Sequence, residues 1–179
     1  MNCLLQGDVG SGKTIVSILA SSIAVESNFQ VAIMAPTEIL ARQHLKSFKK
    51  EFDPLKITCA LLTGGMARKE RDKIIESLNN GKIDLVIGTH ALIQKDVKFK
   101  KLGLVIIDEQ HRFGVNQRRK LVEKGNNPHF LAMTATPIPR TLAITLYGDM
   151  DLCIIDEMPK NQKPVITKVI DENRLKRVY

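Results

Sequence analysis

At 179 residues, 44% of them hydrophobic and 26% charged, the chain has the size and balance of one soluble globular domain. No apolar run is long enough to cross a bilayer and no basic stretch precedes an apolar one at the start, so neither a membrane span nor a signal peptide is expected and the cytoplasm is the default location. A net charge of +8 suits a polyanionic partner or a plainly basic surface, and 4% aromatic residues argue against a base-stacking platform.

The first candidate strand, CLLQ at 3–6, runs into GDVGSGKT at 7–14 and then into the helix-patterned TIVSILASSIAVES. The middle segment matches G-x-x-x-x-G-K-[ST] in full, between a strand and a helix, which is the context that motif needs. Gly7, Gly10 and Gly12 allow backbone conformations closed to residues with a Cβ, so the loop through Asp8, Val9 and Ser11 can turn successive N–H groups onto phosphate oxygens. The following helix adds its positive end. Lys13 supplies a mobile ammonium for the outer phosphates, and the Thr14 hydroxyl is placed to ligate Mg²⁺. A nucleoside triphosphate and Mg²⁺ are the implied ligands.

Next come VAIMAP (31–36) as a strand and ILARQHLKSFKKEF (39–52) as an amphipathic helix, with Thr37 placed to cap it and Glu38 in its first turn. ITCALLTG (57–64) is the third strand and ends at Gly64 and Gly65. ARKERDKIIESLNNG (67–81) is helical and stops on Asn-Asn-Gly. DLVIGTH (84–90) places Gly88, Thr89 and His90 at another strand end. Runs such as RKERDK (68–73), KDVKFKK (95–101) and RRK (118–120) are basic, and such runs are more often solvated helix faces than binding patches.

LVIIDE (104–109) is an apolar strand that ends on two acids. A phosphate loop needs a second strand to bring an acid to the metal, at the carboxyl edge where open α/β sheets bind ligands. Asp108 is then the Mg²⁺ ligand, through water, and Glu109 polarises the attacking water. FLAMTAT (130–136) and DLCIIDE (151–157) complete seven candidate strands. Their near-continuous apolar character, alternating with helices, predicts an α/β fold with a mostly parallel sheet covered by helices on both faces. Three scattered cysteines, Cys3, Cys59 and Cys153, show no metal or disulfide spacing and read as small buried hydrophobes. His44, His90 and His129 show no ligand spacing. Beyond 157, MPKNQKP is a polar connector, followed by a strand-like PVITKVID and a helix-like ENRLKRVY. The expected division is a domain over 1–157 and a connector over 158–179 that continues into more chain.

The ordered set GDVGSGKT, APTEILA, TGG, GTHAL, DEQH and TAT resembles the first RecA-like domain of the superfamily 2 DExH-box helicases. DEQHRFGV, TATPIPRTLA and YGDMDLCIIDEMP resemble most closely the RecG type, which uses ATP to remodel branched DNA in replication-fork repair and recombination. The resemblance covers about residues 2–170. It implies a RecA-like P-loop NTPase fold, ATP and Mg²⁺ as cofactors, and DNA as a partner held through its backbone. It implies that Thr37, Gly64, Gly65 and Thr89 stand near that backbone, and that Gln110, His111, Thr134 and Thr136 couple phosphate state to domain movement, with His111 and the TAT hydroxyls bonded across the site. A second RecA-like domain and an upstream wedge domain are implied partners. Arg112, Arg118, Arg119 and Arg140 could serve DNA or the second domain. The transcription-repair coupling translocases share GDVG-x-GKT and ATPIPRT, and a P-loop ATPase that ignores nucleic acid is the other alternative.

Overall fold

Apolar runs buried on both sides need partners on both edges and cover on both faces, and the computed structural model, which describes residues 1–136 and 150–157, supplies them. The strands are β1 (Asn2–Gly7), β2 (Gln30–Met34), β3 (Cys59–Leu62), β4 (Leu85–Gly88), β5 (Leu102–Ile107), β6 (His129–Thr134) and β7 (Asp151–Ile155). They form one sheet in the order β3-β4-β2-β5-β6-β1-β7. Every pairing is parallel, which sharpens the expected mostly parallel sheet. Each of the seven expected strands is present, but most stop short at the carboxyl edge. Asp108 and Glu109 lie past the end of β5, because the chain turns there instead of continuing the ladder.

Alternate residues of the central strands feed two cores. Leu5, Val31, Ile33, Ile87, Ile106 and Met133 pack with Ile18 of α1 (Lys13–Glu26) and with Ala41, Phe48 and Phe52 of α2 (Glu38–Phe52). Ala32, Met34, Val86, Val105 and Ile107 pack on the other face, with Leu78 of α3 (Arg68–Asn79) and Leu121 of α4 (Val115–Val122). Helices therefore cover both faces, as a RecA-like α/β fold requires. α4 was legible only as the basic run 118–120, since eight residues with one fully buried side chain carry little periodicity.

Two glycines and the cysteines show how tightly the strands are set. A Cβ on Gly88 would stand 2.1 Å from the Leu62 carbonyl oxygen, on the neighbouring strand. Gly88→Ala should therefore force β3 and β4 apart and cost about 3 kcal/mol. That predicts a thermal midpoint lower by roughly 6–12 °C. An unmoved melt would mean that the strands separate freely there. A Cβ on Gly103 would meet the Phe29 ring at 2.5 Å.

The cysteines do not behave as three alike hydrophobes. Cys3 is buried and Cys59 half-buried, but Cys153 is exposed because β7 is an edge strand. The Cys3 Sγ lies 3.2 Å from that of Cys153 and donates to it. Burial, reinforced by that bond, pushes the Cys3 thiol up to about 12. No helix among the described residues is long and apolar enough to cross a membrane. Arg140 and the expected connector, strand and helix of 158–179 lie outside the described residues.

Candidate nucleotide-binding site

Because all strands run the same way, whatever follows their C-terminal ends shares one edge. Ile107 pairs with Ala132 of β6, and Ala132 pairs with Leu4 of β1. The phosphate loop after β1 and the acids after β5 thus flank β6 on the same edge of the sheet. Lys13 and Asp108 are on one side of the molecule, not opposite ones. Strand alternation also sends Asp108 to the face of α1 and α2, since Ile106 packs there and Ile107 does not.

Within the loop, Gly10 at φ 83° and Gly12 at φ 101° occupy the left-handed region. Gly7 is fixed by space: a Cβ there would meet Ser11 Oγ at 2.5 Å and Ile155 Cβ at 3.2 Å. Lys13 Nζ donates to the carbonyls of Gly7 at 2.7 Å and Asp8 at 2.9 Å, so the ammonium lies across the loop. α1 carries no acidic residue in its first turn, which leaves its positive end without an anion of its own. Two of the expected cradle amides are turned inward on the loop itself. Val9 N–H donates to Asp8 Oδ1 at 2.8 Å and Ser11 N–H to the Asp8 carbonyl at 3.1 Å. The first amides of α1, at Lys13 and Thr14, have no intrahelical acceptor, as at any helix start.

Asp108 is held at three points. Its N–H donates to the Met34 carbonyl at 2.9 Å, extending the pairing with β2. Its Oδ1 accepts from the Glu109 N–H at 3.0 Å, and its Oδ2 lies 2.7 Å from His44 Nε2. His44 is the functional candidate that sequence reasoning missed. It stands 64 residues from Asp108, but a signal was present: on α2 it falls in the buried stripe with Ala41, Phe48 and Phe52, where a polar ring needs a partner.

Glu109 takes the left-handed conformation, φ 48° and ψ 54°, which costs a residue with a Cβ about 1–2 kcal/mol and concentrates at functional sites. Its Oε2 lies 3.4 Å from His111 Nδ1. Thr134 and Thr136 bond each other, Oγ1 to Oγ1, at 2.8 Å. The bond between His111 and the TAT hydroxyls that the resemblance implied is therefore replaced here by two local pairs. Glu109, His111 and Thr136 nevertheless line one cavity of about 610 Å³ with Thr37, His90 and Arg112. Thr37 caps α2, accepting from the Leu40 N–H at 3.3 Å, and Glu38 pairs with Arg42 at 2.6 Å. Gly65 flanks the same helix end, within 3.5 Å of Glu38 Oε2 if a Cβ is built on it, and Gly64 faces open space. Thr89 starts the turn His90–Ile93, its N–H on the Leu62 carbonyl.

Polar satisfaction marks the same edge. At the amino edge the buried Gln30 is fully used, donating to the Leu78 and Ile83 carbonyls and accepting from the Lys101 N–H. At the carboxyl edge Ser11 Oγ, Thr63 Oγ1 and Gln110 Nε2 are buried with no hydrogen-bond partner among the described residues. Gln110 is 1% exposed, and only its Oε1 is engaged, by Arg118 at 3.3 Å. Each unmet group costs about 1–3 kcal/mol, a cost that concentrates where a ligand or moving part is to be met. A separate apolar pocket of about 370 Å³, near Ile23, Phe29 and Pro128, shares no residue with this edge.

The model of the family described as DEAD/DEAH box helicase matches residues 1–145. ATP-dependent DNA helicase RecG of Streptococcus pneumoniae is 58% identical over 178 residues, which is 99% of this chain and 26% of that protein. The protein of that name from Aquifex aeolicus is 55% identical over 181 residues, covering 100% of this chain and 23% of its own length. A solved structure of RecG bound to a three-way DNA junction superposes with a TM-score of 0.83 at 51% identity, over 99% of this chain and 24% of that one. The chain thus spans about a quarter of the length of the curated relatives it matches.

Proposed function

Because the chain belongs to the DEAD/DEAH box helicase family, we propose that it is the ATP-binding motor domain of a RecG-type DNA helicase acting on branched DNA in replication-fork repair and recombination. The observation that carries this reading is the shared edge: the strand end that leads to Lys13 and Thr14 and the strand end that leads to Asp108 lie on the same edge of the sheet, either side of β6. A P-loop enzyme without nucleic acid would share that edge. The RecG relatives and the cavity that joins Thr37, Glu109, His111 and Thr136 favour the helicase.

In this reading Lys13 and the first amides of α1 hold the outer phosphates of ATP. Thr14 and Asp108 would hold Mg²⁺, which neutralises charge developing on the phosphates. The donor set fits: one hydroxyl and one carboxylate are hard oxygens, and Mg²⁺ takes one or two such protein ligands, completing its shell with phosphate and water. No cluster of three His, Cys, Asp or Glu side chains that could hold a metal occurs among the described residues, and such a site needs none. Glu109 accepts the proton of the attacking water. Gln110, His111, Thr134 and Thr136 relay phosphate state. Thr37, Gly64, Gly65 and Thr89 border the DNA backbone, contacts that position without reading sequence. The motor domain occupies 1–157, and 158–179 leads to a second RecA-like domain, with a wedge domain elsewhere in the protein.

The test is strand separation on a labelled three-way junction. The full-length protein should unwind it only with Mg²⁺ and ATP. A polypeptide of these 179 residues should bind nucleotide weakly and unwind nothing, because it corresponds to a quarter of its relatives. Robust unwinding by that polypeptide would overturn the domain assignment, and an inert full-length protein would overturn the helicase reading.

A further inference from the structure

α2 touches both halves of the proposed machine. Its cap, Thr37, lines the cavity at the proposed nucleic-acid side, and seven residues later His44 reaches Asp108. Seven residues of α-helix span about 10 Å. The helix between is a rigid piece, anchored in the core by Ala41, Phe48 and Phe52.

The His44–Asp108 contact is short and sheltered. Nε2 and Oδ2 are 2.7 Å apart, with side-chain exposures of 11% and 13%. A carboxylate only accepts, so Nε2 carries the hydrogen. With Oδ1 engaged by the Glu109 N–H, both carboxylate oxygens are fixed. The carboxylate cannot rotate without breaking one of the two bonds, and its remaining lone pairs keep a set direction. Groups that orient metal-ligating carboxylates in this manner typically govern metal affinity by 10–100-fold.

We infer that His44 is a positioning residue for Asp108, holding it in its metal-ligating orientation and tying that orientation to the placement of α2. The inference rests on the proposed function, in which Asp108 ligates Mg²⁺, and adds a route from nucleic acid to the metal. A backbone phosphate that draws on the Thr37 end moves His44 as part of the same helix, and Asp108 follows.

The experiment is a Mg²⁺ titration of fluorescent ATP-analogue binding to the full-length protein, with and without a three-way junction. His44→Met keeps the bulk and the helix propensity but removes the donor, while His44→Gln returns an N–H at similar reach. The Met variant should raise the Mg²⁺ midpoint roughly 10–100-fold. The Gln variant should recover most of that shift. DNA should move the midpoint in the wild type and not in the Met variant. A Met variant with the wild-type midpoint, equal shifts for Met and Gln, or a DNA response that survives in Met would each overturn the inference.

Should the Met variant fail to fold, the wild type still decides. Mn²⁺ added with nucleotide should broaden the ring signals of His44 far more than those of His129, which lies at the amino edge. Equal broadening overturns the inference. Wild-type protein that binds nucleotide without any Mg²⁺ dependence would instead overturn the metal site on which it rests.

Discussion

Replacing Lys13 with alanine is expected to lower nucleotide affinity by roughly 100–1,000-fold, equivalent to about 3–4 kcal/mol, and to leave the melting curve where it was. The two halves of that expectation have different sources. Charge-assisted hydrogen bonds to phosphate contribute about 1.5–3 kcal/mol each, and an ammonium between two phosphates makes more than one. Folding loses little, because the hydrogen bonds of the Lys13 ammonium go to the Gly7 and Asp8 carbonyls, within the loop itself. Alanine is also the best helix former for the first position of α1. Titration with a fluorescent ATP analogue beside a circular dichroism melt separates the effects. Unchanged titration would remove the phosphate site, and a collapsed melt would show that the ammonium has a structural task in the loop.

That site was legible because the features that make it are local. A glycine-rich loop between an apolar strand and a helix announces itself within eight residues, and the strand ends carrying Asp108, Thr89 and Thr136 are apolar runs that stop on polar residues. Parallel strands then bring those ends to one edge without any contact having to be foreseen. Long-range choices were not legible. His44 gave no sign of its partner beyond lying in an apolar helix stripe, since 64 residues separate it from Asp108. The approach of Cys153 to Cys3 depends on β7 pairing with β1, the last strand with the first. The local pairs at Glu109–His111 and Thr134–Thr136 depend on backbone turns of a few degrees of freedom, below what residue types specify. The inward turn of the Val9 amide has the same origin, in the adjacent Asp8 side chain.

Glu109→Gln is expected to split what Lys13→Ala removes together. ATP turnover by the full-length protein on DNA should fall about 10²–10⁴-fold, the usual contribution of a positioned general base. Mg²⁺-dependent nucleotide binding should hold within a few-fold, because Asp108 and not Glu109 is the proposed metal ligand. The backbone explains how two adjacent acids can divide the work. In a continuing strand, residues 108 and 109 would point to opposite faces of the sheet. The left-handed turn at Glu109 ends the strand first, so Asp108 stays with His44 on the α2 face while Glu109 swings toward the cavity of His111 and Thr136. Glutamine keeps the size and the backbone demands of glutamate, so the variant changes the proton acceptor and little else. Single-turnover hydrolysis measured alongside nucleotide titration reads both quantities. A fall of less than tenfold would take the base from Glu109. A parallel loss of Mg²⁺-dependent binding would mean that the two carboxylates share the metal, and that the turn at 109 serves coordination rather than proton transfer.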